Sequence, residues 1–395
     1  MRVEEAEGRL ETPPPSPDAI RTALARVIDP EIRRPITELD MVGDIAVSPG
    51  GYATVGIRLT IVGCPAARAI ERDVREAAAS VPGITDVTVE VGVMTREQRA
   101  ALTERLRGGR ERVMPFGPGT LTRVFTITSG KGGVGKSTIT ANLAVELASR
   151  GLSVGLIDAD VHGFSIPGLL GLSGPEGTAK PTRVDDMILP PVAFGVKVIS
   201  IGMFIDTSTG SGGAQAVAWR GPMLHRTIAQ FLTDVYFGDL DVLLLDLPPG
   251  TGDVAISIGQ LLPNAEVVVV TTPQPAAADV AERSGIVARQ TGQHVLGVIE
   301  NMAGLPQNDG SVFELFGAGG GAEVARRLSD GQDAPVPLIA SVPLSVALRA
   351  GGDAGEPVVL SAPQDPAAAA IRSVADALEA RGRDLAGRRL GVAPA

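Results

Sequence analysis

Residues 123–150 read RVFTITSGKGGVGKSTITANLAVELASR, and the middle of this stretch decides the fold. Gly130-Lys131-Gly132-Gly133-Val134-Gly135-Lys136-Ser137 fits the G-x-x-x-x-G-K-[ST] phosphate-binding loop. A β-branched run leads into it and a helical apolar pattern leads out, which is the context this loop requires. The glycines let backbone N–H groups wrap phosphates without Cβ interference, and the helix N-terminus adds partial positive charge. Lys136 is expected at the β- and γ-phosphates of a nucleotide, Ser137 on Mg²⁺, and Val134 and Thr138 within the same cradle.

Outward from the loop, short apolar runs alternate with helical segments: SVGLID, VKVISI, DVLLLD, AEVVVVT, HVLGVIE and PVPLIASV. Runs of this kind with helices between them predict a doubly wound, mainly parallel α/β sheet. Upstream the pattern differs. DAIRTALARVI has helical spacing, GDIAVSP and GYATVGIRLTIV alternate as a hairpin around Ser48–Gly51, ARAIERDVREAAASV is a second helix and ITDVTVEVGVM another strand. The expected organisation is a disordered tail (1–16), a small α+β domain (17–96), a helical and Gly-rich linker (97–120) and a P-loop ATPase domain (121–385).

Composition narrows the function. Lys+Arg 35 against Asp+Glu 45 gives a net charge of -10, a poor balance for a general nucleic-acid binder that must neutralise phosphates. Hydrophobic residues at 44% allow ordinary cores, while aromatics at 3% leave Val, Ile, Leu and Ala to build them. Cys64 is the single cysteine, so no internal disulfide framework or Cys-rich zinc site is available within one chain. The acidic N-terminus has no secretory h-region, and no uncharged apolar run reaches about 18 residues. A cytoplasmic protein without membrane or nucleic-acid partners is expected.

Two acidic segments join the loop. Asp246 ends DVLLLD and begins DLPPGTGD; a carboxylate at the C-terminal end of a parallel strand sits where such sheets bind ligands, here on Mg²⁺. Asp158 and Asp160 end SVGLID in DADVHGFSIP. His162 in that segment reads as a surface or switch-packing residue rather than a general base, because phosphoryl transfer rests on positioning and electrostatics.

SGKGGVGKST resembles the deviant phosphate loop of the MinD/ParA/Get-type ATPases. The resemblance implies a nucleotide-linked homodimer in which Lys131 reaches the partner's phosphates. It also implies that Asp160 positions the attacking water and Asp158 supports the Mg²⁺ shell. A closer resemblance, over roughly residues 120–380, is to the Mrp/ApbC iron–sulfur cluster carrier ATPases. It rests on Asp158–Pro167, Trp219–Met223 with Gln230, Leu240–Asp253, Thr271–Asp279, Ile299–Met302 and Phe316–Gly321. It implies Mg²⁺-dependent ATP hydrolysis, apo iron–sulfur proteins as clients, and Asn301 as the reader of the adenine base.

Asp29-Pro30-Glu31 and Leu59–Pro65 resemble the small iron–sulfur assembly domain often fused before this ATPase. Cys64 precedes a proline and a helix, and two readings stand level: the helix N-terminus lowers its thiol pKa and makes it a cluster ligand or reactive thiol, or it is a buried core cysteine. One departure matters. The carriers usually place Cys-x-x-Cys after the ENM segment to share a [4Fe–4S] cluster between subunits, whereas NMAGLPQNDGSVFELF has no cysteine. Two rivals stay open: a ParA/MinD-like positioning ATPase, and a nucleotide-gated adaptor that docks clients without binding a cluster.

Overall fold

The computed structural model describes residues 16–108, 114–117, 119–161, 163–175, 177–204, 221–307 and 309–381. Residues 1–15 of the expected tail 1–16, the Arg-rich stretch 109–113, His162, Trp219 and Asn308 lie outside the described residues. The chain forms two compact units, Met1–Glu111 with Thr182–Leu189, and Arg112–Pro181 with Pro190–Ala395.

In the first unit, α1 (Pro17–Leu24) starts at Ser16, whose hydroxyl accepts the Ala19 N–H, and carries proline at its first turn. Strands β1 (Val42–Val47) and β2 (Tyr52–Leu59) form the antiparallel hairpin read from the alternation. Gly51 makes the turn at φ +81°, and a Cβ there would stand 2.2 Å from the Gly83 carbonyl oxygen. Strand β3 (Asp86–Val93) runs parallel to β2, which requires a crossover, and α2 (Ala67–Ala79) supplies it with Ile70, Val74, Ala77 and Ala78 buried.

Helix α3 (Arg96–Arg107) opens on a capping box between Thr95 and Gln98. Expected at the head of a linker, it is instead grouped with the first unit. Leu102 is buried, Arg99 Nη1 donates to the Met94 carbonyl at 2.8 Å, and Arg105 Nη1 donates to the Glu38 carbonyl at 2.8 Å. A further hairpin, Thr182–Leu189, also belongs to this unit although it arrives from far down the chain. Thr182, Val184, Met187 and Leu189 alternate inward and are buried.

The second unit is built on an eight-stranded sheet. Its strands are β4 (Arg123–Ser129), β5 (Val154–Asp158), β6 (Val192–Ala193), β7 (Val196–Ser200), β8 (Val242–Asp246), β9 (Glu266–Thr271), β10 (His294–Asn301) and β11 (Leu338–Val342), in the order β6-β7-β5-β8-β4-β9-β10-β11. The seven apolar runs form the seven parallel strands; only the two-residue edge strand β6 runs antiparallel. Burial on both faces explains why these strands are apolar without alternation. Helices α4 (Lys136–Ser149), α5 (Gly221–Asp234), α6 (Asp253–Leu261), α7 (Pro275–Gln290), α8 (Gly320–Ser329) and α9 (Pro366–Ala380) are among the helices of the unit. The arrangement leaves β4 between β8 and β9, with the C-terminal ends of β4, β5 and β8 side by side.

Candidate functional site

Gly130–Gly135 carries the chain from β4 into α4. The turn is tight for two reasons. Gly133 and Gly135 sit at φ +78° and +80°, where a Cβ is strained. Gly130 passes so close to α7 that a Cβ would meet the Val280 carbonyl carbon at 2.2 Å. Helix α4 begins with Gly135 as N-cap and no side-chain cap, so its first N–H groups are left for a ligand rather than for the protein. A cavity of about 360 Å³ opens over the loop and includes Lys131, Lys136, Ser137, Thr138, Asp160 and Pro249 in its lining. A larger cavity of about 780 Å³ lies beside His294, Val336 and Arg381, but it contains neither the loop nor a carboxylate. The chemistry, not the volume, assigns the site.

Asp246 is the hub. Lys136 Nζ lies 2.7 Å from its Oδ2, Ser137 donates to the same oxygen at 2.6 Å, and Thr140 donates to Oδ1 at 2.9 Å. Lys136 is 5% exposed and Asp246 fully buried. Burial pushes the Asp246 carboxyl up, and the Lys136 ammonium opposes that push most strongly. Asp158 stands opposite Asp246 in the register of β5 and β8. Its carboxyl is pushed upward by burial and then by the Asp246 charge, against the hydrogen bond from Ser200. Two buried carboxylates on adjacent strands thus lie beside one lysine, an arrangement that a divalent cation would relieve.

The predicted residues fall around this hub. Asp160 lines the cavity, its N–H donates to Asp158 Oδ1 at 3.1 Å, and its Oδ1 accepts the Gly163 N–H at 3.1 Å. The segment after Asp246 is tied to the loop's own strand, because Gly250 N–H donates to the Ser129 carbonyl at 2.7 Å. Lys131 lies within its own chain's reach: its ammonium donates to Gln274 Oε1 at 2.9 Å, at the N-cap of α7. Asn301 is buried against the loop, donating from Nδ2 to the Val134 carbonyl at 2.8 Å.

Cys64 is in the first unit and its environment matches the second of the two readings, a buried cysteine. The thiol is buried, donates to Glu31 Oε2 at 3.9 Å, and is pushed up to about 11 by burial and by the Glu31 charge. The helix that follows does not lower it, because desolvation and a facing carboxylate outweigh the Ala66 backbone N–H. Glu31 in turn accepts the Thr182 hydroxyl at 2.7 Å, while Asp29 Oδ1 closes an Asx turn on the Glu31 and Ile32 N–H groups at 2.9 and 2.8 Å.

Sequence reasoning missed Thr140, Gln274 and Thr182. Thr140 was findable: it lies one helical turn after Lys136, so both face the same carboxylate. Gln274 stands within the Thr271–Asp279 motif, but neither it nor Thr182 carries a local sign of its partner, since each meets it across more than 140 positions of chain.

Comparison with known proteins fits this geometry. A family described as NUBPL iron-transfer P-loop NTPase matches residues 120–379, and one described as iron-sulfur cluster assembly protein matches residues 17–91. An iron-sulfur cluster carrier protein of Mycobacterium leprae is 54% identical over 378 residues, covering 95% of this chain and 96% of the relative. One from Synechocystis is 39% identical over 360 residues, covering 91% and 95%. Among solved structures, a nucleotide-binding protein from Archaeoglobus fulgidus in complex with ADP is 36% identical, covers 59% of this chain and 86% of its own, and superposes with a TM-score of 0.49.

Proposed function

This chain belongs to the iron-transfer P-loop NTPase family, and from that premise we propose that it uses Mg²⁺-dependent ATP hydrolysis to carry iron–sulfur clusters to apo-proteins. The observation that supports this most is the convergence of Lys136, Ser137 and Thr140 on one buried carboxylate beside an uncapped helix N-terminus. The Lys136 ammonium neutralises Asp246 within the chain itself. When phosphates enter, the α4 N–H groups and Lys136 bind them, and Lys136 exchanges a carboxylate partner for a phosphate one. The oxygens of Ser137, Asp246 and Asp158 suit a hard divalent cation. Held by these residues, Mg²⁺ would supply positive charge against the charge that develops on the phosphates. Asp160, on the same cavity wall, positions the attacking water. Asn301 buttresses the loop from beneath and offers its amide to the base.

We place Lys131 in trans, in a homodimer. Its bond to Gln274 occupies it within one chain, and pairing with a second copy would give it a phosphate partner instead. The cluster is cargo rather than a resident group. Cys64 is the only thiol, so a dimer offers two thiolates and a cluster must complete its shell from clients or small thiols. Taking up iron there also requires the buried thiol to lose its proton. Among the described residues no helix is long and apolar enough to cross a membrane, and reduced-thiol chemistry suits the cytoplasm.

The test couples hydrolysis to delivery. Purified wild-type protein should hydrolyse ATP with Mg²⁺ and activate an apo iron–sulfur enzyme under anaerobic conditions. Lys136→Ala should lose hydrolysis by about 10²-fold or more, as expected on removing a group that stabilises transition-state charge, and lose ATP-stimulated activation with it. Delivery by that variant at the wild-type rate would refute the ATP-driven reading. The protonated thiol and the cysteine-free 302–316 segment favour one second reading, a nucleotide-gated adaptor. It would be supported by ATP-dependent client binding with no iron or sulfide retained.

A further inference from the structure

Between β5 and β7 the chain makes a long excursion, and both of its ends are fixed to one carboxylate. At the start, the Asp160 N–H donates to Asp158 Oδ1 at 3.1 Å. At the end, the Ser200 hydroxyl donates to Asp158 Oδ2 at 2.9 Å, and the Gly202 N–H donates to that hydroxyl at 3.1 Å. Asp158 is fully buried and pairs in register with Asp246, the hub of the nucleotide site. Whatever changes the bonding of Asp158 therefore acts on both roots of the excursion at once.

The middle of the excursion is the hairpin Thr182–Leu189, which is part of the first unit. There it is held by more than apolar burial. Arg107 Nη2 lies 2.8 Å from Asp186 Oδ1, and Arg99 Nε lies 3.9 Å from Asp185 Oδ1. At its base, the Thr182 hydroxyl, 2% exposed, donates to Glu31 Oε1 at 2.7 Å, and the other oxygen of Glu31 accepts from the Cys64 thiol. Three side chains from distant parts of the sequence form one buried chain of hydrogen bonds ending at the sole cysteine. A hydroxyl in this position is needed for no packing reason: valine would fill the same volume. It also directs Glu31, because a carboxylate between a hydroxyl and a thiol has both oxygens committed.

We propose that the hairpin Thr182–Leu189 is the link by which nucleotide occupancy controls access to Cys64, with Thr182 as the positioning residue that holds Glu31 over the thiol. The inference rests on the nucleotide-driven reading above and names its regulation. Without nucleotide the hairpin is seated, Glu31 is held and the thiol is closed. Nucleotide with Mg²⁺ engages Asp158 and its neighbours, the roots at Asp160 and Ser200 shift, and the hairpin loosens its hold on Glu31. A buried pair of this kind suits such control, since its state depends on one short hydrogen bond.

The single cysteine makes the test unambiguous. Full-length protein is treated with iodoacetamide at pH 9, with and without saturating Mg·ATP, and adduct formation is followed by mass spectrometry while phosphate release is measured in the same sample. Mg·ATP is expected to accelerate alkylation of wild-type protein on the order of fivefold or more, the usual range for coupling between two sites. Thr182→Val should be fast without nucleotide and lose most of the ATP response while hydrolysing ATP normally; Thr182→Ser should restore the wild-type pattern, separating the hydroxyl from a folding defect. Hydrolysis with an unchanged or slowed alkylation rate would overturn the link alone, as would a full ATP response in Thr182→Val. Absence of hydrolysis in wild type would overturn the nucleotide-driven reading and the link with it.

Discussion

Among the site residues, Asp246 and Cys64 show how burial can serve opposite ends. Asp246 is buried among a lysine and two hydroxyls, so its charge is compensated before any ligand arrives. Cys64 is buried against a carboxylate, so its charge is suppressed. The second has a direct consequence for pH. A thiol pushed up to about 11 has little thiolate at neutral pH, and because only the thiolate attacks, its alkylation rate in nucleotide-free protein should climb about tenfold per pH unit beyond pH 9 and level off near 11. A free thiol would level off near its ordinary value around 9. Glu31→Gln removes the facing charge and should bring the plateau to lower pH; a rate that levels off at pH 9 in wild type would contradict the buried pair. The phosphate loop could be read from sequence at this scale because its residues are contiguous. The Glu31–Cys64–Thr182 chain could not, because its members stand 33 and 151 positions apart and each alone looks like a core or turn residue.

At the scale of elements, the seven parallel strands were legible because each is a short, largely apolar run of five to eight residues, the signature of a strand covered on both faces. The Thr182–Leu189 hairpin was not. Its two strands are three residues each around Asp185-Asp186, too short for alternation to stand out from a loop. The placement of α3 was likewise hidden, since one buried leucine gives little period and its ties are arginine to backbone carbonyl. The loop also fits closely on α7. Gly130→Ala would drive a methyl against backbone atoms at 2.2 and 2.3 Å, which cannot rotate away as a side chain would. We expect a cost of about 1–3 kcal/mol or more, a lower melting temperature and weaker ATP binding, read by thermal denaturation and nucleotide titration. An unchanged melting temperature would mean that α7 yields to the loop.

For the whole molecule, the resting position of Lys131 on Gln274 bears on assembly. If Lys131 serves a second copy, Lys131→Ala should keep much of its ATP binding yet lose hydrolysis and ATP-linked pairing. Light scattering with a non-hydrolysable ATP analogue checks this: wild type should double in mass and the variant should not. Wild type that stays monomeric with bound analogue at high concentration would exclude the trans role.

The hairpin that completes the first unit also has a history during synthesis. Its residues leave the ribosome roughly 80 positions after the rest of that unit, which at about 5–20 residues per second is a wait of roughly 4–16 s. In that interval the nascent unit has α1 to α3 and its three strands but lacks Val184, Met187 and Leu189 from its core, and Arg99 and Arg107 lack Asp185 and Asp186. The first unit therefore cannot finish folding when its N-terminal stretch alone has emerged. It stays open until the chain has made the phosphate loop and β5, so its completion waits on the opening part of the second unit.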